Sequence, residues 1–173
     1  MEHPPAELPW RHPRRRALLA ATGALLAGTG CVGREPLPSF TYTLLDGSRH
    51  RSQALRGQVV LVNFWATHCA SCVQEMPSLV ALHQAFSARG LQTLAVAMAY
   101  DPPALVARFA ESRQLPFGVV IDNTGAIARL FGDVSATPTC CLLDRRGAIA
   151  ARHVGTPDPT WLRSRVEQLL AQA

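Results

Sequence analysis

The sequence predicts an α/β domain whose mixed central sheet is flanked by helices, and three observations carry that reading. Residues 59–64 and 91–98 are almost unbroken apolar runs, the pattern of strands covered on both faces. Each is followed by a segment whose apolar residues return at helical spacing: Met76, Leu79, Leu82 and Phe86 after the first, Leu105, Val106 and Phe109 after the second. Beyond residue 138 the order changes, because two short strands, 139–143 and 148–154, flank the turn Asp144-Arg145-Arg146-Gly147 and lead into a last helix. A βαβαβα unit followed by ββα makes one domain, residues 39–173, with parallel and antiparallel pairing in one sheet.

Taken in order, the chain opens on a leader. Arg14, Arg15 and Arg16 precede fourteen small or apolar residues, 17–30, and then Cys31, the charge and apolar order of an export signal. As a helix that stretch is about 21 Å long against a hydrocarbon core of ~30 Å. Residues 1–31 are therefore read as a cleaved or lipidated leader, with an uncleaved membrane anchor as the other option. Gly28-Thr29-Gly30-Cys31 is similar to a bacterial lipobox, with glycine where leucine is usual, which makes Cys31 a candidate for lipidation; Arg15-Arg16-Ala17-Leu18-Leu19 loosely resembles a twin-arginine signal.

Residues 32–38, containing Pro36 and Pro38, form a linker. Phe40, Tyr42 and Leu44 alternate ahead of Asp46-Gly47, with Arg49 and Arg51 beyond, as in a small amphipathic hairpin. Gly57 ends a turn before the first long strand. The first helix is expected over about 69–89, with Gly90 as its terminating glycine. Asp101-Pro102-Pro103 reads as an N-cap followed by proline at the first helical position of the second helix. A third strand over 117–121, a short helix over 124–131 closed by Gly132, and a last helix capped by Asp158-Pro159 and carrying Leu162, Val166 and Leu169 complete the chain.

Composition sets the outer limits on function. With 173 residues, 48% apolar and 17% charged, the chain is long and apolar enough for a real core and is not a disordered protein. No apolar run reaches twenty residues, which excludes a polytopic membrane protein. All 17 basic residues are arginine and the formal charge is +5. Four of those arginines precede residue 17 against only Glu2 and Glu7, so the remainder carries 13 arginines against ten acids. It has no basic stripe interleaved with aromatics, and nucleic acid is not expected as a partner. Export places the domain on the periplasmic side of a bacterial cell envelope, where cysteines meet oxidising conditions and are redox-active or paired.

Cys69-Ala70-Ser71-Cys72 follows a buried strand and opens a helix. Free backbone N–H groups and the positive helix end stabilise an anion there, so the first sulfur can be a thiolate near neutral pH, with the second one turn on and within disulfide reach. The first attacks and the second resolves. A zinc site needs further ligands at matched spacing, and the chain has neither a second CxxC nor HxxxH. Glu75, three residues after Cys72, shares a helix face with it. It is read as a proton acceptor for the resolving thiol whose negative charge raises thiol pKa values; the alternative is a solvated first-turn glutamate. His68 as an imidazolium beside Cys69 favours the thiolate, the alternative being an exposed loop histidine.

The run VLVNFWATHCASCVQEMP at residues 60–77 resembles the exported thioredoxin-like disulfide reductases of the TlpA, ResA and CcmG type. The likeness spans residue 38 to the C-terminus. It includes the leading hairpin, Pro77, an extra helix and strand near 102–121, and Thr137-Pro138-Thr139. It implies a thioredoxin-like fold with an N-terminal β-hairpin and an inserted helix-strand unit. It also implies a cis Pro138 facing the CxxC, with Thr137 beside it pairing with a bound substrate peptide. The ring of Pro138, where a thiol would ligate, keeps that site from binding metal. Trp65, in the substrate-facing region, reads as a shelf beside the disulfide. The implied partners are thiols and disulfides of client proteins, such as apocytochrome c in cytochrome c maturation, with a membrane electron donor for re-reduction. No cofactor beyond the redox-active Cys69–Cys72 disulfide is implied. His68 stands where the family usually has Trp, Ser71 where Pro is common, and Asn63 where cytosolic thioredoxins carry a buried acid, which leaves Glu75 as the proton handler.

Cys140 and Cys141 follow Pro138 on a strand and so point to opposite faces. They read as two small buried hydrophobes, with a regulatory thiol near the site as the sharper alternative. Competing functions remain. A Sco-like copper chaperone uses CxxxC with a distant histidine, whereas this chain has CxxC and places His153 on a strand. A peroxidase needs TxxC, and this chain has Thr67-His68-Cys69. A disulfide oxidase uses the same CxxC with the opposite redox poise.

Overall fold

A computed structural model describes residues 34–172. Residues 1–31, expected as an export leader ending at Cys31, and the first residues of the expected linker lie outside the described residues. The elements run β1 (Thr41–Thr43), β2 (Arg49–Arg51), β3 (Val59–Trp65), α1 (Ala70–Phe86), β4 (Leu91–Ala97), α2 (Pro103–Ser112), β5 (Gly118–Ile121), α3 (Ala126–Leu130), β6 (Thr139–Leu143), β7 (Ile149–Val154) and α4 (Pro159–Ala171). The five-stranded sheet has the order β5-β4-β3-β6-β7. β3, β4 and β5 are parallel, as strands joined by the crossover helices α1 and α2 must be, while β6 pairs antiparallel with β3, and β7 pairs antiparallel with β6.

β3 is central and every one of its residues is buried, the physical reason for its unbroken apolar run. Its alternate side chains divide the core in two. Val59, Leu61 and Trp65 pack with Cys72, Met76 and Leu79 of α1, Val106 of α2 and Val166 of α4. Val60, Val62 and Phe64 pack on the other face with Ile127 and Phe131 and with Tyr42 of the hairpin.

The hairpin covers the sheet edge at β5. Leu44 bridges Val120, and the Leu45 N–H donates to the Val119 carbonyl at 3.2 Å. Glycine at 118 lets both leucines close over β5, since a Cβ there would lie 2.9 Å from Leu94 Cδ2 and 3.0 Å from Leu44 Cδ2 and one or both side-chain ends would have to shift.

Three local expectations change. α2 begins at Pro103 with Pro102 as its N-cap, and Asp101 makes no cap. Proline at 103 has no N–H to offer, so Asp101 loses one of the two donors that a capping carboxylate uses. α3 is shorter than expected because Gly125, with φ 67°, holds the turn that starts it. A 3-10 turn over Ser52–Leu55, unmarked in the sequence, follows β2. The last helix starts as expected, the Asp158 carboxylate accepting from the Trp161 N–H at 2.9 Å.

Candidate active site

Strand β3 ends at Trp65, and the chain makes a tight turn over 66–69 closed by the Cys69 N–H donating to the Ala66 carbonyl at 3.1 Å. That turn delivers Cys69 to the N-cap of α1, where its sulfur accepts from the Cys72 N–H at 3.3 Å and lies 3.4 Å from Ser71 Oγ. Cys69 and Cys72 form a disulfide with Cα atoms 5.2 Å apart. The two sulfurs differ in access: Cys69 is partly exposed and Cys72 is fully buried. A thiol at a helix N-terminus with an N–H aimed at it is the arrangement that favours a thiolate.

Glu75 is 5% exposed, and neither carboxylate oxygen has a hydrogen-bond partner. The solvated reading of this residue is thereby corrected, since α1 turns position 75 inward with Cys72, Met76 and Leu79. Burial pushes the Glu75 carboxyl up to about 7. It floors a groove lined by Ser71, Ser78, Thr156 and Pro157, between α1 and the β7–α4 connection. Asn63, also fully buried, has both amide atoms unpartnered. Of the six buried side-chain polar atoms without partners among the described residues, four belong to Asn63 and Glu75, which marks a polar niche on an otherwise apolar face.

Cys140 pairs in register with Asn63, and Cys141 with Val62. The two cysteines are free and buried, one in each half of the core. Cys140 lies on the CxxC side of the sheet with Cys72, and burial first, then the charge of Glu75, raises its thiol to about 12. Burial raises Cys141 to about 11, with Arg152 acting against the rise.

β6 brings the second segment to the same end. Thr139 pairs with Phe64, one residue short of the end of β3, so Thr137 and Pro138 lie beside the strand end that leads into the CxxC turn. The Thr137–Pro138 peptide is cis, Pro138 is buried, and its carbonyl accepts from the Gly155 N–H at 2.8 Å. Trp65 is 0% exposed and packs on Phe109 with ring centroids 5.0 Å apart. Fully buried there, it presents no surface to a client, which fits the shelf reading and removes it from the substrate-contacting residues. The His68 side chain is 65% exposed, with its ring 5.4 Å from that of Tyr100 and Nδ1 3.9 Å from Asp101 Oδ1. His153 sits opposite Cys140 on β7 and packs on Trp161.

One residue of this site was hidden behind a different reading. Asp101, expected to cap α2, turns instead to the CxxC turn: the Thr67 N–H donates to its Oδ2 at 2.6 Å and Thr67 Oγ1 donates to its Oδ1 at 2.6 Å. The second proline after Asp101 was the available signal that its carboxylate was free for other work.

A parallel-antiparallel sheet with a CxxC disulfide at the start of its first long helix defines the thioredoxin-like class, and the protein is a thiol-disulfide oxidoreductase of that class. The chain belongs to the Redoxin family, which matches residues 33–170. Among relatives, it is 33% identical over 132 residues to the thiol-disulfide oxidoreductase ResA of Geobacillus thermodenitrificans, covering 76% of this chain and 75% of the relative. It is 36% identical over 121 residues to the thioredoxin-like protein YneN of Bacillus subtilis, 69% of each chain. The crystal structure of a thiol:disulfide interchange protein of the thioredoxin family from Chlorobium tepidum superposes with a TM-score of 0.73 at 25% identity, covering 80% of this chain and 98% of that one.

Proposed function

We propose that the protein reduces disulfides in exported client proteins of the bacterial cell envelope, on the periplasmic side, with apocytochrome c during cytochrome c maturation as the type of client. The observation that carries this reading is the asymmetry of the pair: a partly exposed Cys69 sulfur with an N–H aimed at it, over a fully buried Cys72. In the reduced protein the Cys69 thiolate attacks a client disulfide, forming a mixed disulfide and releasing one client thiolate. The Cys72 thiol passes its proton to the Glu75 carboxylate and attacks the Cys69 sulfur. The second client thiolate leaves and the Cys69–Cys72 disulfide is restored. Two electrons reach the client and the protein is oxidised, so a membrane electron donor must reduce it again. The cycle uses no cofactor beyond the cysteine pair.

Thr137, beside the buried Pro138 at the same sheet end, offers backbone to an extended client segment. No helix among the described residues is long and apolar enough to cross a membrane. In this reading membrane association is through the N-terminal leader, by lipidation at Cys31 or an uncleaved anchor. The division of labour is tested by two variants. Cys69→Ser abolishes reduction of a protein disulfide, by at least about a hundredfold, whereas Cys72→Ala accumulates mixed disulfides with clients, because an intermediate formed at Cys69 cannot be released without the resolving thiol. Equal trapping by both variants, or turnover in Cys69→Ser above about one hundredth of wild type, overturns the assignment.

A further inference from the structure

Asp101 is a buried acid whose carboxylate is wholly taken up by one residue of the CxxC turn. Its side chain is 0% exposed, and both oxygens accept from Thr67 at 2.6 Å, one from the backbone N–H and one from the hydroxyl. A carboxylate taken out of water is stable only where such charge-assisted bonds replace its hydration, so the two partners hold each other in one geometry. Asp101 is itself fixed to the frame of the sheet. Its N–H donates to the Met98 carbonyl at 2.9 Å, and the Met98 N–H donates to the Trp65 carbonyl at 3.0 Å. The bracket thus joins the end of β4 to the turn that leaves β3, 34 residues away in sequence. Thr67 is the second residue of the turn that presents Cys69, and His68, the third, has Nδ1 3.9 Å from the same carboxylate.

We infer that Asp101 is a positioning residue for thiol-disulfide exchange: acting through Thr67, it holds the 66–69 turn so that the Cys69 sulfur stays aligned with the Cys72 N–H. The inference rests on the proposal that Cys69 is the nucleophile. Its sign is opposite to that of a simple charge effect. Removing a carboxylate near a thiol stabilises the thiolate and lowers the thiol pKa, whereas releasing the turn takes a hydrogen-bond donor from the thiolate and raises it.

The test uses the reduced full-length protein. The Cys69 pKa is read from the pH dependence of alkylation by iodoacetamide, with the modified cysteine located by mass spectrometry. Thr67→Val removes the hydroxyl bond and leaves the shape; Asp101→Asn removes the charge and one acceptor; Thr67→Ser keeps the hydroxyl. The inference expects the Cys69 pKa to rise by about one unit, a loss of thiolate of up to about tenfold at neutral pH, in Asp101→Asn, to rise by a smaller amount in Thr67→Val, and to stay at the wild-type value in Thr67→Ser. A rise in either folded variant, with Thr67→Ser at the wild-type value, supports it. An unchanged or lowered pKa in the folded variants, or a shift in Thr67→Ser as large as that in Thr67→Val, overturns it. Thr67→Val keeps the test open if Asp101→Asn does not fold. Alkylation of wild-type protein first at Cys72 would overturn the nucleophile assignment instead, a result distinct from any shift between variants.

Discussion

Glu75 concentrates the acid-base chemistry of this site in a single side chain. With its carboxyl pushed to about 7 by burial, it is neutral in mild acid and charged at pH 8, so its influence on the thiols is itself pH-dependent. Glu75→Gln is expected to leave the fold intact and to lower the pKa of at least one active-site thiol; superimposable thiol titrations of the two proteins would make Glu75 a structural residue. A second consequence concerns stability. A carboxyl whose folded pKa lies above its unfolded value of 4.5 binds its proton more tightly in the folded protein. Its stabilising contribution is complete below about pH 4.5 and is lost as pH rises through about 7. Denaturant unfolding of the oxidised protein at pH 5 and pH 8 should show wild type losing about 1–2 kcal/mol more than Glu75→Gln, after allowing for screening from the groove beside it. Equal losses would mean that the carboxyl is not desolvated in solution.

At the scale of elements, the site is assembled from ends. The C-terminal end of β3, the N-terminus of α1, the end of β4 and the start of β6 meet there. Pro77 inside α1 removes one backbone hydrogen bond within two turns of the helix start, to the Val73 carbonyl. Arg145 gathers the far end of the molecule, donating to the carbonyls of Gly57 at 2.6 Å, Gln172 at 3.1 Å and Leu170 at 3.2 Å. α4 depends on its cap in the same way, and Asp158→Ala should cost about 1 kcal/mol, roughly 3 °C in Tm, by leaving the Trp161 N–H without its acceptor. Since Asp158 touches no part of the cysteine pair in hydrogen bonding, turnover at room temperature should stay within about twofold of wild type. A thermal melt coincident with wild type would show that water replaces the cap at no cost.

The molecule as a whole is expected to be poised as a reductant. An oxidant is made by stabilising the reduced form, chiefly by holding the nucleophile as a thiolate. The dipeptide between the cysteines, Ala70-Ser71, supplies no charge for that purpose, and Glu75, once ionised, adds a negative charge that acts against a nearby thiolate. His68 works in the other direction, but its side chain is 65% exposed and its charge is screened by solvent. The potential should therefore lie nearer the roughly −270 mV of thioredoxin than the roughly −120 mV of a strong periplasmic oxidant. Equilibration with glutathione or dithiothreitol buffers measures it directly, and a value above about −150 mV would make the protein a disulfide oxidase.

The order of elements, the central place of β3 and the position of CxxC at a helix start are legible in the amino-acid sequence alone. These follow from local signals, an unbroken apolar run, helical spacing and a terminating glycine, which act over a few residues and are written where they act. The likeness across residues 60–77 added the fold and the class of chemistry. The features that the sequence left open depend on partners far apart in the chain. Glu75 has the same i+3 spacing from Cys72 whether it faces water or core, and only the packing of α1 on the sheet and α4 put it inside. Cys140 and Cys141 alternate in any strand, but the register of β6 against β3 chose Cys140 for the active-site face. Asp101 carried the local signature of a helix cap, and its side chain went instead to Thr67, because a partner 34 residues away, brought near by the parallel pairing of β3 and β4, offered two donors where the proline-bearing start of α2 offered fewer.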